Sequence, residues 1–275
     1  MTISLSSDRL LKLVSTVTEF VSGSSAHGEG CRHKLWDWLH LIRWMSWALT
    51  VCPLLRPVLS SVYQKVAGKN IPNAAIFVNG EVKHDFSWFT DAFHSFSGVQ
   101  ILRSLTWRPG EADLQLYCDA SLTGLSFWAP SSLHSFTHTL PPTSSGSIDV
   151  TIFWFEALCV ASAIEYTAFL HPVPWCLAIY TDRLDTVQIF NSLKASGTYN
   201  PILLFSCGLL LQQDIDLHVF HIPGDLNVVT DALSCTLLHV AAQHAPCLQV
   251  FSFQPPSLSP GNSFSPPRCM LGSVA

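Results

Sequence analysis

Charge is scarce in this sequence: 12% of its 275 residues are Asp, Glu, Lys or Arg, while 48% are hydrophobic. That balance excludes a disordered chain. A mean hydropathy of +0.32 leads us to expect apolar surface that rests against a partner or another part of a polypeptide. Long hydrophobic runs are also missing. The longest uncharged apolar stretches, Trp44–Leu55 and Pro201–Leu211, are short and broken by Pro, Gly or Ser, so no membrane span is expected. The N-terminus lacks a basic-then-apolar layout, with Asp8 and Arg9 interrupting it, so no signal peptide is expected. Nine cysteines without regular spacing or a CxxC pair argue against a zinc site or a disulfide framework. They read as buried or incidental thiols in a reducing, intracellular setting, cytoplasmic or nuclear.

What charge there is divides unevenly. Residues 1–110 hold eleven Lys/Arg against seven Asp/Glu, a balance of +4; residues 111–275 hold three against twelve, a balance of −9. An acidic half suits divalent cations and a mildly basic half suits phosphates, although ordinary surface variation gives the same numbers.

Residues 1–70 read as helical. LSSDRLLKLVSTVTEFVS (5–22) has apolar residues at helical spacing, followed by the breaker run Gly23–Gly30. Residues 31–68 read as a helical pair punctuated by Pro53 and Pro57. The tryptophans of KLWDWLHLIRWMSWAL crowd more than one face and read as core or interface material before a stacking platform. Residues 71–110 form a connection with a turn at Asn79-Gly80, a helix-like DFSWFTDAFHSF and a linker turn at Arg108-Pro-Gly110.

From residue 111 the pattern changes. LQLYCDA (114–120), the stretch after Gly124 and HSFTHTLP read as strands, and 150–170 as a long apolar helix. CLAIYTD (176–182) is a buried strand, with helices at DTVQIFNSL and Pro201–Gln213. DLHVFHIPG (216–224) is a further strand, and NVVTDALSCTLLHV a last helix. The order β-β-β-α-β-α-α-β-α predicts an α/β fold: a mixed five-stranded sheet flanked by helices over 111–240, preceded by a mainly helical segment. Residues 241–275 read as a Pro/Ser-rich disordered tail.

Four acids share a geometric logic. Asp119 ends the first strand and Asp182 the central one, so neighbouring strands would present both at one edge. Glu156 lies one to two turns into the long helix, and Asp231 in the first turn of the last. Singly, each reads as a turn or helix cap. Together, buried carboxylates repel unless protonated or neutralised by a cation, and hard oxygen donors suit Mg²⁺ or Mn²⁺. Two such ions are the usual apparatus for phosphodiester hydrolysis, and Asp119, on a central strand, is the expected bridge between them.

YCDAS-x-x-G (117–124), FEALCVASA (155–163), IYTD (179–182) and HIPGDLNVVTDALS (221–234) resemble, in order and spacing, the ribonuclease H domain of retroelement reverse transcriptases. The HIPG-x-x-N motif is typical of long-terminal-repeat and DIRS-type elements, and the layout is most similar to fungal DIRS-like ones. The resemblance implies hydrolysis of the RNA strand of an RNA:DNA hybrid, with Asp119, Glu156, Asp182 and Asp231 as ligands of two Mg²⁺ or Mn²⁺ ions. It also implies His221 as an aid to proton transfer or product release, and Asn227 as a loop-fixing residue. Residues 38–63 are similar to the thumb that follows a polymerase palm, and 71–110 would be the connection. No Tyr-x-Asp-Asp-type palm motif is present, so the chain is expected not to polymerise DNA and to be a remnant whose partner was the missing polymerase portion.

Four positions depart from the family pattern: Ser126 for a hairpin glycine, Arg183 after Asp182, Asp185 close by, and Cys235 after DALS. Arg183 would pair with Asp182 and compete with metal. Sparse basic charge predicts weak hybrid binding by this domain alone. A catalytically inactive nucleic-acid-binding remnant is therefore the alternative, and an unrelated nuclease or integrase of this fold ranks last.

Overall fold

The apolar spacings of the sequence settle into nine helices and eight strands among the described residues of the computed structural model, which are 6–22, 31–93, 107–141 and 152–258. The first part of the chain runs α1 (Ser7–Ser22), β1 (Arg32–Lys34), α2 (Leu35–Ala48), a 3-10 turn (Pro53–Val58), α3 (Leu59–Val66), β2 (Ala75–Phe77) and α4 (Gly80–Phe93). Next come β3 (Leu114–Ala120), β4 (Gly124–Ala129), β5 (His134–Thr139), α5 (Ile152–Ala168), β6 (Cys176–Thr181) and α6 (Leu184–Ser192). The order ends α7 (Asn200–Gln213), β7 (Asp216–His221), α8 (Val228–Ser234), α9 (Leu238–His244) and β8 (Gln249–Ser252). The breaker run at 23–30, residues 94–106 of the connection, residues 142–151 and the tail from 259 lie outside the described residues. No described helix is long and apolar enough to cross a membrane.

Two compact units form, one from residues 1–106 with 193–212, the other from 107–192 with 213–275. In the first, one stripe of α2 (Leu35, Trp38, Leu41, Ile42 and Met45) is buried against Phe20, Phe86 and Phe89. Leu204 and Cys207 of α7 enter the same core, and the Asn200 amide donates to Asp85 Oδ2 at 3.3 Å. So α7, reached from the sheet-forming part of the sequence, packs in the helical unit. Asn79-Gly80 is not a hairpin turn. Asn79 Oδ1 accepts the Val82 N–H and caps the start of α4, the task Asn performs at a helix N-terminus.

The second unit is built on one sheet in the order β7-β6-β3-β4-β5-β8. The pairs β3–β6, β6–β7 and β5–β8 are parallel, while β3–β4 and β4–β5 are antiparallel. Side chains alternate across it. Phe127 packs towards Tyr166 of α5, while Ser126 donates to the Thr230 carbonyl of α8 at 2.7 Å. Helices thus cover both faces of an α/β unit with a mixed sheet.

The sheet has six strands where five were expected. Gln249–Ser252 falls in the stretch read as tail, yet it extends the edge beside β5. There Gln249 N–H bonds the Leu133 carbonyl at 2.8 Å and Phe251 stacks on Phe136. Four residues are too few to display a period, so the sequence alone does not reveal them. The expected last helix is two, divided where Thr236 takes φ 61°. Ser126 lies in β4 opposite Asp119 and not in the hairpin turn.

Gly124 opens β4 where there is no room for a side chain: a Cβ would lie 2.8 Å from the Ser234 carbonyl oxygen and 2.9 Å from that of His138. Both are backbone atoms, which cannot swing aside. Gly124→Ala is therefore expected to destabilise the protein by about 1–3 kcal/mol, read as a lower urea midpoint; an unchanged midpoint would show that α8 sits further from β4.

Candidate metal centre

Strand geometry brings the acids together. β3 and β6 run parallel as neighbours, with Tyr117 opposite Tyr180, so Asp119 near the end of β3 and Asp182 just past β6 emerge at the same edge. Glu156 is the fifth residue of α5, at 1% exposure; Asp119 is 5% exposed. One carboxylate oxygen from each of Asp119, Glu156 and Asp182 lies within 4.8 Å of the others.

Each acid is held by its surroundings. Ser234 of α8 donates its hydroxyl to Asp119 Oδ2 at 2.6 Å. Glu156 Oε1 accepts the Ala120 N–H at 3.4 Å, and Oε2 accepts the Thr181 hydroxyl at 3.4 Å. Asp182 differs: its Oδ1 is buried without a hydrogen-bond partner, and a Cβ on Gly224 would lie 3.2 Å from Oδ2. A buried carboxylate oxygen with no donor is costly unless a cation meets it. Three acids, all oxygen donors, with one oxygen left free, fit a hard divalent cation. The triad can hold a metal ion.

The electrostatics agree. Burial pushes the Asp119 carboxyl up to about 7; the Ser234 hydrogen bond opposes the rise, and the charges of Asp182 and Asp231 add to it. Burial likewise pushes Glu156 up to about 8, with the charges of Asp119 and Asp182 adding. Arg183 opposes both shifts. Its Nε lies 3.8 Å from Glu156 Oε1, so its ion pair is with Glu156 and not with the expected Asp182.

Asp231 is exposed on α8 and is not among the clustered oxygens, although its charge reaches Asp119. His221, exposed at the end of β7, pairs in register with Thr181, the residue before Asp182. Asn227 is 2% exposed and donates to the Cys118 carbonyl at 3.0 Å, while its Oδ1 meets the Thr230 hydroxyl. Those bonds tie the loop after β7 to the strand that carries Asp119. Asp185 is exposed in the first turn of α6. Sequence reasoning overlooked Ser234 and Thr181. Both stand inside the motifs that drew attention, but nothing in a residue string says which hydroxyl faces which carboxylate.

No family model matches this chain, and no curated protein matches it.

Asp119 and Glu156 keep protons in the folded state that the unfolded chain releases near pH 4. Between about pH 4 and pH 8 the folded state thus binds more protons, and metal-free stability falls as pH rises through that window. Melting temperatures measured in chelator are expected to fall from pH 5 to pH 8, and Asp119→Asn to flatten the trend. Since a cation needs ionised ligands, Mg²⁺ or Mn²⁺ should raise the melting temperature more at pH 8 than at pH 6. Equal shifts at both pH values would show that the ion binds elsewhere.

Proposed function

We propose that residues 107–192 and 213–258 form a metal-dependent nuclease unit of the ribonuclease H type, cutting the RNA strand of RNA:DNA hybrids. The observation that carries this reading is the buried triad Asp119, Glu156 and Asp182, with Asp182 Oδ1 unpartnered, at the edge where the four motifs of the resemblance meet. Asp119, Glu156 and Asp182 would hold Mg²⁺ or Mn²⁺, with Asp231 as the fourth acid of a two-ion site. Bound there, two ions supply a water acidic enough to attack at neutral pH and Lewis-acid stabilisation of the leaving 3′ oxygen.

The chain's own residues orient that chemistry. Ser234 donates to Asp119 Oδ2 at 2.6 Å, so the acid on the central strand is oriented by an outer hydrogen-bond partner. Asn227 braces the loop between β7 and α8, which leaves His221 exposed beside the end of β6, where an imidazole can exchange protons with the departing product. The substrate of this reading is a hybrid duplex, and a polymerase portion would be its companion.

One observation favours a second reading, in which the fold binds nucleic acid without cutting it: Arg183 already supplies a positive charge to Glu156 at 3.8 Å. Purified protein with Mg²⁺ or Mn²⁺ is expected to cleave a labelled RNA:DNA hybrid. Asp119→Asn should lower the rate by at least about a hundredfold, and Arg183→Gln should keep or raise it. A wild type inert with both metals, whose hybrid binding ignores chelator and Asp119→Asn alike, would select the second reading.

A further inference from the structure

The helical unit carries a groove of about 1070 Å³ that the nuclease reading does not use. Its walls are two helical stripes, one on α1 (Arg9, Lys12, Thr16) and one on α2 (Trp36, His40, Arg43, Trp47). The buried stripe of α2 runs through Leu35, Trp38, Leu41 and Met45; Leu41 and the core residue Phe20 also line the groove, while Trp36, His40, Arg43 and Trp47 lie on the other side of the helix, where the core makes no demand for apolar side chains. Trp36 is nevertheless 65% exposed and Trp47 51%. Leaving two indoles in water is costly in a chain that buries Trp38 completely.

The charge around these rings has one dominant sign. Arg9, Lys12 and Arg43 face a single acid, Asp37, and that carboxylate is already engaged by the Lys34 N–H at 3.1 Å. None of the three cations forms an ion pair with a described residue. The Arg9 guanidinium lies over the Trp47 ring, 5.6 Å from its centroid, which fixes a cation beside a flat apolar face. Exposed indoles alternating with unpaired cations along a groove are what successive bases and phosphates require of a binding surface. An apolar helix would meet the indoles but leave the cations unanswered, and an acidic peptide would do the reverse.

We propose that the groove between α1 and α2 binds single-stranded nucleic acid, with bases stacking on Trp36 and Trp47 and phosphates meeting Arg9, Lys12 and Arg43. This site is independent of the acid triad and needs no metal.

The test uses the full chain, chelator, and a fluorescein-labelled dT15 or rU15 strand followed by anisotropy. Both strands should bind and quench tryptophan fluorescence. Trp36→Ala and Trp47→Ala should each weaken binding about tenfold, with Trp36→Phe and Trp47→Phe restoring most of it. Arg43→Ala should lower the slope of log affinity against log salt by about 0.7. Both indoles are exposed, so circular dichroism melts should stay unchanged and separate binding loss from unfolding. Binding that survives Trp36→Ala/Trp47→Ala, or no binding of either strand at low salt, overturns the proposal. So does sedimentation showing a dimer that this double variant dissociates, since the groove would then be an interface between copies.

Discussion

Three carboxylates converge at one sheet edge, and much of the second unit is arranged around keeping them there. Asp119 and Glu156 are almost fully buried, and the charge of Asp119 raises the cost of ionising Glu156. The fold does not relieve this with a matched set of cations. It offers hydroxyls and amides instead: Ser234 to Asp119, Thr181 and Ala120 to Glu156. Those donors hold the acids in place but do not neutralise them, and Asp182 Oδ1 receives none. The edge is preorganised for positive charge and carries only part of what it needs.

That requirement explains features that look unrelated. Ser234 reaches Asp119 only because α8 lies close on β4, and α8 lies close because Gly124 has no side chain to hold it off. Ser121 and Ser126 tighten the same contact by donating to the Ser234 and Thr230 carbonyls at 2.8 and 2.7 Å. Asn227 joins the start of α8 to the Cys118 carbonyl, one residue from Asp119. A glycine, three serines and an asparagine thus cooperate to position one carboxylate, in keeping with the general need of metal ligands for outer partners.

How far the sequence discloses this arrangement depends on the range of each interaction. Strand ends are legible because a fully apolar run such as CLAIYT stops abruptly at Asp182, and a helix as apolar as 152–168 makes Glu156 conspicuous. The meeting of Asp119 with Asp182 follows from β3–β6 pairing, which a βαβ order already suggests. What escapes is set by tertiary packing: the edge strand Gln249–Ser252, the break at Thr236, the choice of α7 for the helical unit, and the hydroxyl partners of the acids. Trp36 and Trp47 were equally hidden, because an aromatic-rich helix read as a string gives no clue to which rings meet the core.

Arg183 is the feature on which the chemistry of the edge turns. Its guanidinium is half-exposed and 3.8 Å from Glu156, so water screens much of its attraction. A divalent ion at an ordinary oxygen-ligand distance carries twice the charge at closer range. At equal dielectric it would attract a carboxylate roughly three to four times as strongly, before the cost of shedding its own water. The same ion would also answer Asp119 and the free oxygen of Asp182, which Arg183 does not contact. A flexible side chain that satisfies one acid of three is a weak competitor for an ion that satisfies all of them. Arg183 is therefore a counter-charge that partly relieves Glu156 at the metal-free edge.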